Sequence, residues 1–152
     1  MSQDDAGVDL ETSLGYLLKE ASSALRVAME EVLRPLGMNV TRYSCLELLA
    51  QRPGLSNSDL ARGAFVTRQS MNVLLQALER EGLVTRPAEA PVGKVLPTRL
   101  TPRGRRGLEQ ASAAVRQVEL RMLAGLTAPE RIAALRILRS MVGSLRGGPE
   151  AT

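Results

Sequence analysis

Ser56–Thr101 reads SNSDLARGAFVTRQSMNVLLQALEREGLVTRPAEAPVGKVLPTRLT, and this stretch decides the fold. Ser56 followed three residues later by Asp59 is a capping-box start, predicting a brief helix that stops near Gly63. Ala64-Phe65-Val66-Thr67 is a turn, and Thr67 caps the next helix. In that helix Met71, Leu74, Leu75 and Leu78 recur at helical spacing and form the buried stripe. Arg68, Gln69, Asn72, Gln76, Glu79 and Arg80 fall outside it, and Glu81-Gly82 ends the helix. Leu83–Ala88 alternates as a strand, Glu89–Gly93 has turn chemistry, and Lys94–Thr101 returns as a second strand. Pro97 there implies a bulge or an open edge.

Two short helices joined by a turn, then a basic hairpin, describe a winged helix-turn-helix. Arg68, Gln69, Ser70 and Asn72 lie on the first turns of the second of these helices. Arginine fits guanine O6/N7, and Gln or Asn fits adenine N6/N7, so these residues are candidates for reading a DNA groove. The alternative is a solvated polar helix face. Thr67 is a cap that also suits a phosphate, and Ser56 and Ser58 suit phosphate or capping equally. Arg86, Lys94 and Arg99 are candidate wing contacts to phosphate or the minor groove. Arg103, Arg105 and Arg106 begin the following helix, where positive charge opposes the helix dipole, and their role stays open.

Outward from this core, Leu14, Leu17, Leu18, Ala21, Leu25, Ala28, Met29 and Val32 mark a long amphipathic first helix, ended at Arg34-Pro35-Leu36-Gly37. Thr41 is expected to cap a second helix over 42–50. Beyond the hairpin, Thr101-Pro102 starts a helix running to about Leu123, with Leu108, Ala111, Val115, Val118 and Met122 on one side. Thr127-Ala128-Pro129-Glu130 is a full capping box for a last helix carrying Ile132, Leu135, Leu138, Met141, Val142 and Leu145. The chain is thus mainly α with a small β-hairpin. Three regions are expected: an N-terminal helix over 10–36, a winged helix-turn-helix over 41–101, and C-terminal helices over 102–146.

Composition agrees. The 152 residues are 44% hydrophobic but only 2% aromatic (Tyr16, Tyr43, Phe65), so the core is aliphatic, as packed helices require. Thr41–Arg106 holds 11 Lys/Arg against 5 Asp/Glu, a net of +6, while the remaining residues net −2. Positive charge is concentrated where DNA contact is expected. With 18 Arg and 2 Lys, the excess of arginine itself also fits the codon bias of a GC-rich genome. One cysteine and no histidine exclude an internal disulfide, a Cys/His zinc site and histidine base catalysis. Neither GxGxxG nor GxxxxGK[ST] occurs. No enzymatic constellation and no cofactor are expected. No apolar run approaches the roughly 20 residues that span a bilayer. The acidic start, MSQDDAGVD, is unlike a secretory signal, so a cytoplasmic setting is expected.

The order of elements, with TRYSCLELLA, SDLARGAFVTRQSMNVLLQALEREGLVTR and LTPRGRRGL as the matching residues, resembles the MarR family of bacterial transcriptional regulators over nearly the whole chain. The resemblance implies a homodimer in which the first, fifth and sixth helices of both copies interleave. It implies binding to a pseudo-palindromic double-stranded DNA operator, usually as a repressor released by a small aromatic or phenolic effector. Tyr16, Met38 and Tyr43 are the candidate lining of an effector cleft, with plain core packing as the alternative. Two departures stand out. The wing tip EAPVGK lacks the Asp-x-Arg cluster common in the family, and the start of the first helix lacks the cysteine of peroxide-sensing members. Cys45 lies instead in the second helix, where a buried apolar role competes with a redox one. An activator and a winged helix used for protein–protein contact are the remaining alternatives.

Overall fold

The computed structural model describes residues 7–86 and 98–147. In chain order the elements are α1 (Leu14–Leu33), a 3₁₀ turn (Arg34–Leu36), α2 (Val40–Gln51), α3 (Asn57–Gly63), α4 (Arg68–Arg80), β1 (Val84–Thr85), β2 (Arg99–Leu100), α5 (Pro102–Met122) and α6 (Ala128–Leu145). The strands pair antiparallel, with Val84 opposite Leu100 and Thr85 opposite Arg99. The chain divides into two compact units, Met1–Val118 and Glu119–Thr152.

Within the first unit a single aliphatic core joins Cys45, Leu46 and Leu49 of α2, Leu60 and Ala61 of α3, Met71, Leu75 and Leu78 of α4, Val84 of β1 and Leu108 of α5. The predicted stripe of α4 is the buried one, with Leu74 packed at its margin. Helix starts follow the capping chemistry. Ser13 accepts from Tyr16 N, Ser56 and Asp59 form a capping box, and Thr67 accepts from Ser70 N.

The start of α2 differs from the expectation. Asn39, not Thr41, is the cap: its Oδ1 accepts from Arg42 N at 2.8 Å, while Val40 N donates to Glu30 Oε1 of α1 at 3.2 Å. The helix therefore begins at Val40 and extends to Gln51. The described strands are shorter than the expected 83–88 and 94–101, and Pro97 lies outside the described residues.

The join between hairpin and α5 explains the sequence LTPRG. Thr101 Oγ1 donates to Gly82 O at 2.7 Å and accepts from Gly104 N at 2.9 Å, while Thr101 N donates to Leu83 O at 3.0 Å. A Cβ at position 104 would come within 2.0 Å of Leu83 O, so glycine is required for this approach. A second cross-tie, Ser112 Oγ donating to Glu47 Oε2 at 2.6 Å, joins α5 to α2.

In the second unit Thr127 and Glu130 form the predicted capping box of α6. Arg131 donates to the carbonyls of Leu126 and Leu123 at 3.3 and 3.0 Å and so closes the preceding turn. No residue of α6 is buried in the single chain: Ile132, Leu135, Ile137, Leu138, Val142 and Leu145 are all exposed. Among the described residues no helix is long and apolar enough to cross a membrane.

Candidate nucleic-acid interface

The outward face of α4 carries Arg68, Gln69, Ser70, Val73 and Gln76, all exposed, with Asn72 half-buried among them. Arg68 takes part in no ion pair among the described residues. Thr67 Oγ1 donates to Ser70 Oγ at 2.9 Å and accepts from Ser70 N at 3.0 Å, so both hydroxyls first serve the helix start. Ser56 is similarly engaged: its hydroxyl donates to Asp59 Oδ2 at 2.9 Å and accepts from Asp59 N at 3.2 Å. Bonds from the Ser56 hydroxyl and backbone, with the nearby Arg62 guanidinium, hold the Asp59 carboxyl below its usual range. Ser58 is half-buried next to this cap.

Of the wing candidates, Arg99 is exposed on β2 and Lys94 lies outside the described residues, as does the tip EAPVGK. Arg86 turns back onto α4. Its Nη2 donates to Asn72 Oδ1 at 3.2 Å, and its backbone N donates to Glu79 Oε2 at 3.2 Å. Sequence reading placed Arg86 and Asn72 on separate elements and had no signal for their pairing, since it spans a turn and a change of secondary structure.

The turn before α4 holds a second feature invisible to pattern reading. Phe65 has φ 59°, the only non-glycine residue with positive φ among those described, and is 84% exposed. Its backbone conformation is a strained one for an aromatic residue.

Met38 and Tyr43 line different clefts. Met38 lines a cleft of about 570 Å³ with Leu36, Leu83, Gly107 and Gln110, rimmed by Arg42, Glu81, Arg103 and Arg106. Tyr43 lines another of about 210 Å³ with Glu47, Leu48 and Arg52. Tyr16 lies on the exposed part of α1. In the larger cleft Arg42 pairs with Glu81 through two contacts of 2.8 Å. Bonding from Arg42 holds the Glu81 carboxyl below its usual range, aided by the charges of Arg42, Arg103 and Arg80. Beside Tyr43, partial burial pushes the Glu47 carboxyl up, but hydrogen bonds from Ser112, Gln51 and Tyr43 outweigh it and leave it lowered.

Cys45 is fully buried, with Sγ 3.7 Å from Met71 Sδ. Burial pushes its thiol up to about 12. A thiol so protonated is a packing group, and a redox role through Cys45 loses its chemical basis. Among the described residues no cluster of three His, Cys, Asp or Glu is placed to hold a metal ion.

Comparison with known proteins bears on the fold and the family. The MarR family pattern matches residues 36–94. The HTH-type transcriptional repressor Rv2887 of Mycobacterium tuberculosis is 43% identical over 135 residues, covering 89% of this chain and 97% of the relative. Its crystal structure in complex with DNA superposes with a TM-score of 0.71 at 42% identity, covering 86% of this chain and 98% of that one. The complex of the same relative with salicylic acid gives a TM-score of 0.71 at 44% identity, over 86% and 96% of the two chains.

Proposed function

The chain belongs to the MarR family of transcriptional regulators, and from that membership and the free polar face of α4 we propose a sequence-specific DNA-binding repressor released by a small-molecule effector. The observation that carries the reading is that face: Arg68, Gln69 and Gln76 are exposed on the helix that follows the turn, and Arg68 has no ion pair among the described residues. Seated in a major groove, they meet base edges, while Thr67, Ser70 and Arg99 lie within reach of phosphates. Ser56 and Ser58 at the start of α3, and Lys94 in the wing, are assigned to the same backbone contacts.

The regulator is a homodimer. Leu14, Leu17 and Leu18 of α1 and the apolar side chains of α6 are exposed in one copy, and a second copy is the natural cover for them. Two-fold symmetry then calls for a pseudo-palindromic operator with half-sites about 34–36 Å apart. Acting on DNA in a bacterial-type cell, the protein works in the cytoplasm.

The salicylic acid complex of the M. tuberculosis relative supports a small aromatic acid as effector. The cleft at Met38 has charge for a carboxylate, with Arg103 and Arg106 beside the Arg42–Glu81 pair. Release follows only if the ligand binds the DNA-incompetent state more tightly than the competent one.

A gel-shift titration tests the reading. Operator binding is expected to weaken steeply with salt, and Arg68→Ala is expected to cost about 1–3 kcal/mol of operator affinity. Binding that ignores salt, or is unchanged in Arg68→Ala, would remove DNA or that residue from the assignment. Millimolar salicylate is expected to release the wild-type complex.

A further inference from the structure

We propose that Arg86 is a positioning residue for DNA recognition: it fixes the side-chain amide of Asn72 so that Asn72 presents hydrogen-bond donors to a base acceptor. The assignment rests on the DNA-binding reading and adds to it which base atoms this part of the helix reads.

The root of the hairpin is seated on α4 at two points. Arg86 N bonds the Glu79 carboxylate and Arg86 Nη2 bonds Asn72 Oδ1. Residues 72 and 79 lie two helical turns apart on one edge of α4. A guanidinium has donors and no acceptor, so only one of the two orientations of the Asn72 amide is compatible with it. The oxygen must face Arg86; turning the amide over would set two N–H groups against the cation. The bond is charge-assisted, though at the long end of the hydrogen-bond range. Arg86 Nη1 is buried without a hydrogen-bond partner among the described residues.

Asn72 shares its helix face with Arg68 and Gln76, one turn to either side. It is therefore within the surface assigned to the major groove, with its oxygen drawn toward Arg86. Pairing with adenine needs both the oxygen, to accept from N6, and the nitrogen, to donate to N7. The Asn72 oxygen keeps one lone pair but faces a cation, so the nitrogen is the group offered most freely to DNA. Its two N–H groups suit guanine O6 and N7, or thymine O4. Left to itself an asparagine here favours adenine; Arg86 turns it toward acceptors.

The experiment is selection from a randomised duplex library with the full-length protein, followed by salt titrations on the selected sites. Wild type is expected to prefer guanine or thymine over adenine at one symmetry-related pair of positions. Arg86→Gln frees the amide and is expected to admit adenine at that pair alone. It weakens the original site about tenfold, with an unchanged salt slope, because Arg86 touches no phosphate. Arg86→Lys keeps a cationic donor beside Asn72 and restores the wild-type preference. Asn72→Asp keeps the pairing with Arg86 but removes the donors, and is expected to lose discrimination at the same pair. It therefore tests the assignment even if Arg86→Gln fails to fold. Uniformly weaker binding with a shallower salt slope in Arg86→Gln would make Arg86 a phosphate contact and overturn the proposal. An unaltered preference with only a lowered melting temperature would make it a brace and overturn it too. A wild type that selects no site brings down the regulator reading itself. A wild type with a defined site that Asn72→Asp still reads sinks only this assignment.

Discussion

Cys45 turns a potentially reactive atom into filling for an aliphatic core. Its neighbours are hydrophobic, Met71 Sδ is 3.7 Å away, and burial lifts the thiol to about 12. Because the folded value is raised, the contribution of the neutral thiol to stability is intact below the ordinary cysteine range of about 8.5 and is lost as pH rises from there toward about 12. A disulfide-exchange reagent at pH 8 is accordingly expected to leave the native protein unlabelled and to titrate one thiol after denaturation. Peroxide treatment is expected to leave DNA binding unchanged. The burial of Cys45 was legible from its place in an apolar run of α2. The pairing of Arg86 with Asn72 was not, because fourteen positions of chain separate them and neither residue type announces a partner. Phe65 was hidden for a different reason: positive φ is signalled by glycine or asparagine, and an aromatic gives no such sign.

At the level of elements, most boundaries could be read because the atoms that set them are local. The hydroxyls of Ser56, Thr67 and Thr127 each cap the helix that immediately follows, and Pro35 and Gly82 sit where helices stop. The start of α2 escaped because Asn39 and Thr41 are both good caps. The choice is made by Val40 N meeting Glu30 of α1, a contact ten residues away. Gly104 belongs between these cases. Its place in LTPRG was visible as part of a family pattern, but the reason is steric and three-dimensional. Gly104→Ala drives a methyl group into Leu83 O and separates hairpin from helix. The expected loss is about 3 kcal/mol or more, at the severe end for overpacking, measurable by urea denaturation. A variant as stable as wild type would show that α5 does not need this approach.

For the molecule as a whole, the unburied apolar residues of α6 set the assembly. Ile132 is 70% and Leu145 88% exposed in the single chain, and no residue of that helix is buried. Sedimentation of the full chain is expected to give a dimer. Removal of the residues before Leu14 is expected to preserve it, and truncation at Thr127 to yield monomer or aggregate. A monodisperse, stable monomer from the intact chain would contradict the assignment. Since folding and association are linked, the melting temperature is also expected to rise with protein concentration. The amphipathic stripes of the terminal helices were apparent in the sequence, but a stripe facing a sister copy looks the same on paper as one facing its own core.

One hydroxyl, that of Thr101, is bonded at once to the carbonyl of Gly82 and to the amide of Gly104. The base of the wing and the first turn of α5 consequently share a pivot rather than a slack joint. Turning the first turn of α5 without the base of the hairpin would break one bond or the other.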